Sequence, residues 1–217
     1  MRLSKSWIIA AKDFKTYRKK KNIIYALFVV PFLVAILITA VIGYVGTKGT
    51  SRTSPAELVV LLPAFLFVYV ILGAYLATPI SSYTIVGEKV EKSLEPLLAT
   101  PTTDSEILLG KGIAAFLPPL AAIWGGSVLF MVLMDLTTEG ELGYYYFPGS
   151  NTALVLLLLI PLALLMSVLV NIIVSSRVTD VRTGQQLGAL TIIPFAGLYL
   201  SGELNLIDLG DTSNLLI

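Results

Sequence analysis

The sequence predicts an all-α fold, a polytopic membrane helix bundle with an N-terminal interfacial amphipathic helix. Three observations predict it. The chain is 56% hydrophobic and only 13% charged, against about a quarter charged in an ordinary soluble domain. Five uncharged runs reach or approach the ~20 residues that a helix needs to cross the hydrocarbon core: Asn22–Thr47, Leu58–Gly87, Gly112–Met134, Leu142–Ser176 and Thr183–Gly202. None of them alternates as a membrane β-strand does. The charges, finally, are sorted between alternate loops.

The first element is the basic segment 1–21. Leu3, Trp7, Ala10, Phe14 and Tyr17 recur at spacings of 4, 3, 4 and 3, the apolar seam of an amphipathic helix. Lys5, Lys12, Lys15 and Lys19 occupy the rest of its surface. Such a helix lies among lipid headgroups, rings inward and lysines towards water or anionic lipid. Lys19-Lys20-Lys21 marks the turn into the first span. A cleaved signal peptide would have an apolar core of about 7–15 residues before its cleavage site. Here the run is longer and contains Pro31, so the segment is expected to stay. Residues 22–217 form the transmembrane domain.

With a cytoplasmic N-terminus, 13 of the 15 Lys and Arg fall on the cytoplasmic side: eight in Arg2–Lys21, then Lys89, Lys92, Lys111, Arg177 and Arg182. Only Lys48 and Arg52 lie opposite, with Glu57, Asp135, Glu139, Glu141, Glu203, Asp208 and Asp211. The positive-inside rule places the N-terminus inside. Five spans leave the C-terminus outside. The tail is too short to return and ends on Leu215-Leu216-Ile217, the expected start of a sixth span.

Between the second and third spans, residues 88–111 concentrate Glu88, Lys89, Glu91, Lys92 and Glu95. Glu88 and Lys92 have the i,i+4 spacing of a helical ion pair. Pro96 and Pro101 limit a helix to a short piece. Thr103-Asp104-Ser105-Glu106 has the form of a capping box, Thr103 as N-cap and Glu106 at N3, so a new helix should start there. Leu94, Leu97 and Leu98 are apolar residues in a polar turn, suited to docking.

The segment GEKVEKSLEPLLATPTTDSEILLGK resembles the cytoplasmic segment of type-2 ABC exporter permeases. Their pattern runs roughly E-[KR]-E-x-G-[ST]-L-E-x-L-L-x-[ST]-P, then an acidic residue and Gly-Lys. Glu88, Lys89, Ser93, Leu94, Glu95, Leu97, Leu98, Thr100, Pro101, Glu106, Gly110 and Lys111 match it, and Lys92 stands where that family has glycine. The resemblance implies six spans and a coupling helix over Glu88, Lys89, Glu91, Ser93, Leu94, Glu95, Leu97 and Leu98 that inserts into a separate ATPase subunit. It also implies a second ATPase contact around Lys12, Lys15 and Tyr17.

Further residues narrow the function. The chain has no Cys and no His, which removes thiol chemistry and the commonest general base and metal ligand. No catalytic or metal site is expected. No phosphate loop occurs: Gly110-Lys111-Gly112 lacks the preceding glycine and the following hydroxyl. ATP and Mg²⁺ are therefore expected on the partner. The apolar runs hold no ionisable acid or base, which argues against a self-powered ion-coupled carrier. Pro79, Pro118-Pro119, Pro161 and Pro194 should kink or open spans. Gly125-Gly126 and Gly184-x-x-x-Gly188 offer close helix approach, the latter as a possible dimer contact. Tyr144-Tyr145-Tyr146-Phe147 reads as an interfacial anchor.

The expected function is the permease subunit of an ATP-driven exporter in the plasma or inner membrane. It would work as a dimer with a second copy or a paralogue, and with no nucleic-acid partner. The alternative is a non-transporting membrane anchor for a cytoplasmic protein. An intramembrane enzyme is disfavoured by the missing His, Cys and buried carboxylates.

Overall fold

The computed structural model describes residues 3–19, 21–48, 55–90, 92 and 102–203, all helical apart from short connections. The order is α1 (Leu3–Lys19), α2 (Lys21–Lys48), α3 (Pro55–Val90) and α4 (Asp104–Leu142). A short α5 (Ser150–Leu154) then leads through a π-helical turn, Val155–Leu159, into α6 (Ile160–Arg177). Two shorter helices follow, α7 (Val181–Ala189) and α8 (Ile192–Glu203). Four stretches are long and apolar enough to cross a membrane: Ile24–Tyr44, Leu61–Val90, Asp104–Gly140 and Thr152–Arg177.

The fifth apolar run differs from the expected single span, being divided between α7 and α8. Pro194 has no N–H to offer the Leu190 carbonyl, and its ring crowds that oxygen. The chain tightens there into i→i−3 bonds: Leu190 N–H to Leu187 O at 3.2 Å, Thr191 to Gly188 at 3.1 Å and Ile193 to Leu190 at 3.1 Å. The two pieces still climb α3 together. Gly184 lies against Ser82, and Tyr199 stacks on Phe67 at 5.5 Å. Fifteen residues of α3 separate those contacts, about 22 Å of helix. Pro161 sits just beyond the π turn, where Ile160 N–H bonds Val155 O, one residue further back than in an α-helix. Pro79 and Pro118-Pro119, also expected to open spans, lie inside continuous helices.

Helix α3 is the central element. Tyr69, Leu62, Leu66, Val70 and Ile80 are buried on it, with Ile123 and Phe130 of α4 and Leu164 of α6. A polar seam joins α3 to α6 and α7. Ser82 Oγ donates to Asn171 Oδ1 at 3.1 Å, Asn171 Nδ2 donates to Ser167 O at 2.8 Å, and Ser167 Oγ donates to Ala74 O at 2.7 Å. Hydrogen-bonding side chains of this kind hold helices together where lipid supplies no hydrophobic drive. A Cβ on Gly188 would overlap the Asn171 carboxamide, and one on Gly184 would touch Val178 and Ser82. The Gly184-x-x-x-Gly188 pattern therefore packs within the chain, which accounts for both glycines without a dimer contact.

Helix α1 buries Ser6, Ile9, Ala10, Asp13 and Tyr17 against the bundle. Of the expected seam, Ala10 and Tyr17 are buried, whereas Trp7 is 55% exposed and meets Phe14 edge-on at 6.3 Å. The seam thus enters the packed face at Ala10 and Tyr17, with Phe14 packed at its edge, while Ser6, Ile9 and Asp13 on the adjoining side complete that face and Trp7 turns outward. Tyr146 and Phe147 also depart from simple anchoring: Phe147 is buried, with Phe130 at 6.0 Å and Tyr146 at 5.0 Å. Tyr144 and Tyr145 stay exposed.

Helices α2 and α4 meet at Gly126, where an added Cβ would lie 2.5 Å from Pro31 Cβ and 3.0 Å from its carbonyl carbon. Gly112 on the same helix has nothing within 4 Å of that position. Gly126→Ala should cost about 1–3 kcal/mol by overpacking, whereas Gly112→Ala should be neutral or stabilising by up to about 1 kcal/mol through helix propensity. Thermal unfolding in detergent micelles checks this, and equal shifts for the two would contradict the packing.

Candidate functional site

The conspicuous cluster of charge inside the described structure lies where α3 ends. Three helices bring it together. The capping box read from sequence forms at the start of α4: Thr103 Oγ1 accepts Glu106 N–H at 3.4 Å, and Glu106 Oε2 accepts Thr103 N–H at 3.3 Å. Two turns later Gly110 admits α1, since a Cβ there would lie 2.6 Å from Ser6 O and 2.9 Å from Ile9 Cβ. Lys111 follows at once and is 1% exposed.

Its ammonium is 2.7 Å from Glu88 Oε2 and 3.9 Å from Asp13 Oδ2, and it donates to Thr84 O at 2.7 Å. Glu88 Oε1 accepts from Lys12 Nζ at 3.1 Å. Tyr17 and Thr84 share a hydroxyl–hydroxyl bond of 2.8 Å. Two acids and two bases thus balance, and buried charge is tolerable only when paired in this way. Lys12, Asp13, Thr16, Tyr17, Tyr83, Thr84 and Glu88 line a polar cavity of about 140 Å³ beside the cluster.

Asp13 is the least compensated member. Its Oδ2 makes no hydrogen bond. Burial pushes its carboxyl above the ordinary 3.8, Lys111 pulls it down, and Glu88 pushes it up again. Burial likewise raises the Tyr17 phenol, and the Asp13 charge adds to the effect.

Lys89 makes a separate link. Its ammonium donates to Ser176 O at 2.8 Å, Ser175 O at 3.2 Å and Val178 O at 3.3 Å. These carbonyls close α6, where a helix presents unbonded acceptors and the negative end of its dipole. Neighbouring residues of α3 therefore fasten it in two directions: Glu88 to α1 and α4, Lys89 to α6.

Past Val90 the helix stops. Lys92 has φ 55°, in the left-handed region, and its N–H bonds Lys89 O at 3.2 Å. This is the position where the resemblance leads one to look for glycine, the residue that takes such a φ at little cost. The Glu88–Lys92 helical pair read from spacing does not form, because Lys92 has left the helix and Glu88 turns to Lys12 and Lys111. Glu91, Ser93, Leu94, Glu95, Leu97 and Leu98 lie outside the described residues, as does the tail with its expected sixth span. Lys12 and Tyr17 join the cluster, and Lys15 is exposed on α1. Sequence reasoning passed over Asp13, although it is the one acid among eight bases in residues 1–21. Among the described residues no three or more acidic side chains gather as a metal site.

The protein family described as ABC-2 family transporter protein matches residues 7–201. The chain matches no curated protein and no solved structure.

The cluster makes two predictions. Lys111→Met should destabilise the fold by about 3–5 kcal/mol, because two carboxylates are left buried, and adding Glu88→Gln and Asp13→Asn should restore much of the loss. Since folding raises the Asp13 pKa, its contribution to stability is full below the unfolded value and is lost as pH rises through the folded one. Asp13→Asn alone should therefore raise the unfolding temperature at neutral pH, with a gain that closes as pH falls; a gain independent of pH would contradict this environment.

Proposed function

The chain belongs to the ABC-2 transporter family and is a multi-pass membrane permease component, not itself catalytic; on that premise we propose that it exports its substrate across the cell membrane, driven by a separate ATPase docked on segment 88–111. Family membership implies an ABC ATPase partner. ATP and Mg²⁺ bind on that partner, since this sequence has no phosphate loop. The charge distribution supports a cytoplasmic N-terminus and hence a cytoplasmic segment 88–111. A second permease, the same chain or a paralogue, completes a dimer.

The observation that carries this reading is the pair Glu88 and Lys89. They sit at the root of the proposed coupling segment and are bonded to α1, α4 and α6. Leu94, Glu95, Leu97 and Leu98 would meet the ATPase, with Lys12 and Lys15 as a second contact. Glu88 and Lys89 would pass the displacement inward. Closure of the ATPases on ATP then moves the root of α3, and the bundle follows as packed helices.

Proteoliposomes holding the chain and its ATPase separate docking from transmission. Glu95→Lys should weaken ATPase binding about tenfold or more, by placing like charge in a docking contact. Lys89→Met should leave binding within about twofold and still reduce the bilayer-embedded permease's stimulation of ATP hydrolysis about tenfold, an effect of about 1.4 kcal/mol, within the roughly 1–3 kcal/mol typical of coupling. Normal stimulation in Lys89→Met with binding intact would overturn the transmission role. Normal binding and stimulation in Glu95→Lys would overturn docking on this segment.

A further inference from the structure

At the opposite end of α4, about 36 Å from Lys111 by helical rise over 24 residues, the connection after α4 folds back onto the bundle. Helix α4 closes on Gly143 with φ 75°. Asp135 Oδ1 then accepts two backbone N–H groups, Tyr146 at 3.0 Å and Phe147 at 3.1 Å. This carboxylate holds the two rings nearly perpendicular, at 86° and 5.0 Å. They form one corner of a cup of about 240 Å³, whose wall also includes Tyr144, Thr152, Pro63 and Leu66.

Two of the hydroxyls at the cup are tied to the backbone. Tyr146 hydroxyl donates to Val59 O at 3.3 Å, and Thr152 Oγ1 accepts Gly149 N–H at 3.2 Å. The cup's walls are largely aromatic, ring faces attract cations, and the Asp135 carboxylate lies one hydrogen bond behind Tyr146 and Phe147. Asp135 and Glu139 give this end of α4 the same sign. Among the described residues no lysine or arginine lines the cup.

We infer that this cup binds an alkylammonium group, held against Tyr144, Tyr146 and Phe147 in the field of Asp135. The site goes beyond the transport reading and does not rest on it, since neither the ATPase nor segment 88–111 takes part. The ammonium can belong to a free amine or to a lipid headgroup. Both present the same cation to the rings.

The test is calorimetric titration of the full chain in uncharged maltoside micelles. The probes are choline, its neutral carbon isostere 3,3-dimethyl-1-butanol, and glycerophosphocholine. Saturable choline binding is expected, at least tenfold tighter than the isostere. It should weaken about tenfold in Tyr144→Leu. Asp135→Asn keeps an acceptor for the two backbone N–H groups while removing the charge, and should weaken choline without affecting the isostere. Tighter binding of glycerophosphocholine than of choline assigns the site to a lipid headgroup, and the reverse order to a free amine. Absence of saturable binding by either ammonium compound, equal binding of choline and its isostere, or unchanged binding in both variants would overturn the proposal.

Discussion

Placing one ammonium, Lys111, out of water in a bundle of apolar helices constrains everything around it. An ion so buried has a solvation deficit of several kcal/mol, which only close partners offset. Glu88 must therefore sit at the end of α3, with the Thr84 carbonyl one turn earlier. Helix α1 must come near enough for Lys12 and Asp13 to balance the charges, and Gly110 permits that approach. An amphipathic helix that could have floated freely in the headgroups is thereby docked on α4. Lys89 extends the same logic to α6, with helix-end carbonyls as the acceptors.

The bonds that join the bundle are unevenly distributed. Hydrogen bonds from Ser82, Ser167 and Asn171 join α3 and α6 through the middle, and charge joins them at the end. By contrast, the break before Pro194 and the π turn before Pro161 interrupt the regular α-helical ladder in the fifth and fourth apolar runs. Under the coupling proposed above, a force entering at the root of α3 would meet α1, α3, α4 and α6 already bonded to one another.

Local patterns were legible in the sequence. The Thr103–Glu106 capping box, the bundle class and four of the apolar runs as long helices all appear as read, since each depends on residues within a few positions of one another. What depended on partners was not legible. The Glu88–Lys92 spacing was consistent with an ion pair, but the better partners came from α1 and α4. The seam on α1 holds at Ala10 and Tyr17, but the side carrying Ser6, Ile9 and Asp13, which the bundle also buries, is not signalled by local spacing. Gly184 and Gly188 advertised a close approach without saying to what; Asn171 and Ser82 answered from within the chain. Half of the tyrosine cluster proved to be packed inward, held by a carboxylate eleven residues earlier.

The central claim is that Glu88, Lys89 and Lys111 make the ends of α1, α3, α4 and α6 move as one body. The chain has no native cysteine, so spin labels can be placed singly at Lys15 on α1 and Thr179 after α6. Pulsed dipolar spectroscopy on the assembled transporter would compare nucleotide-free and ATP-trapped states. The account predicts one distance distribution, unchanged between the two. A displacement approaching one helical turn, roughly 5 Å, or a second population appearing with ATP, would contradict it.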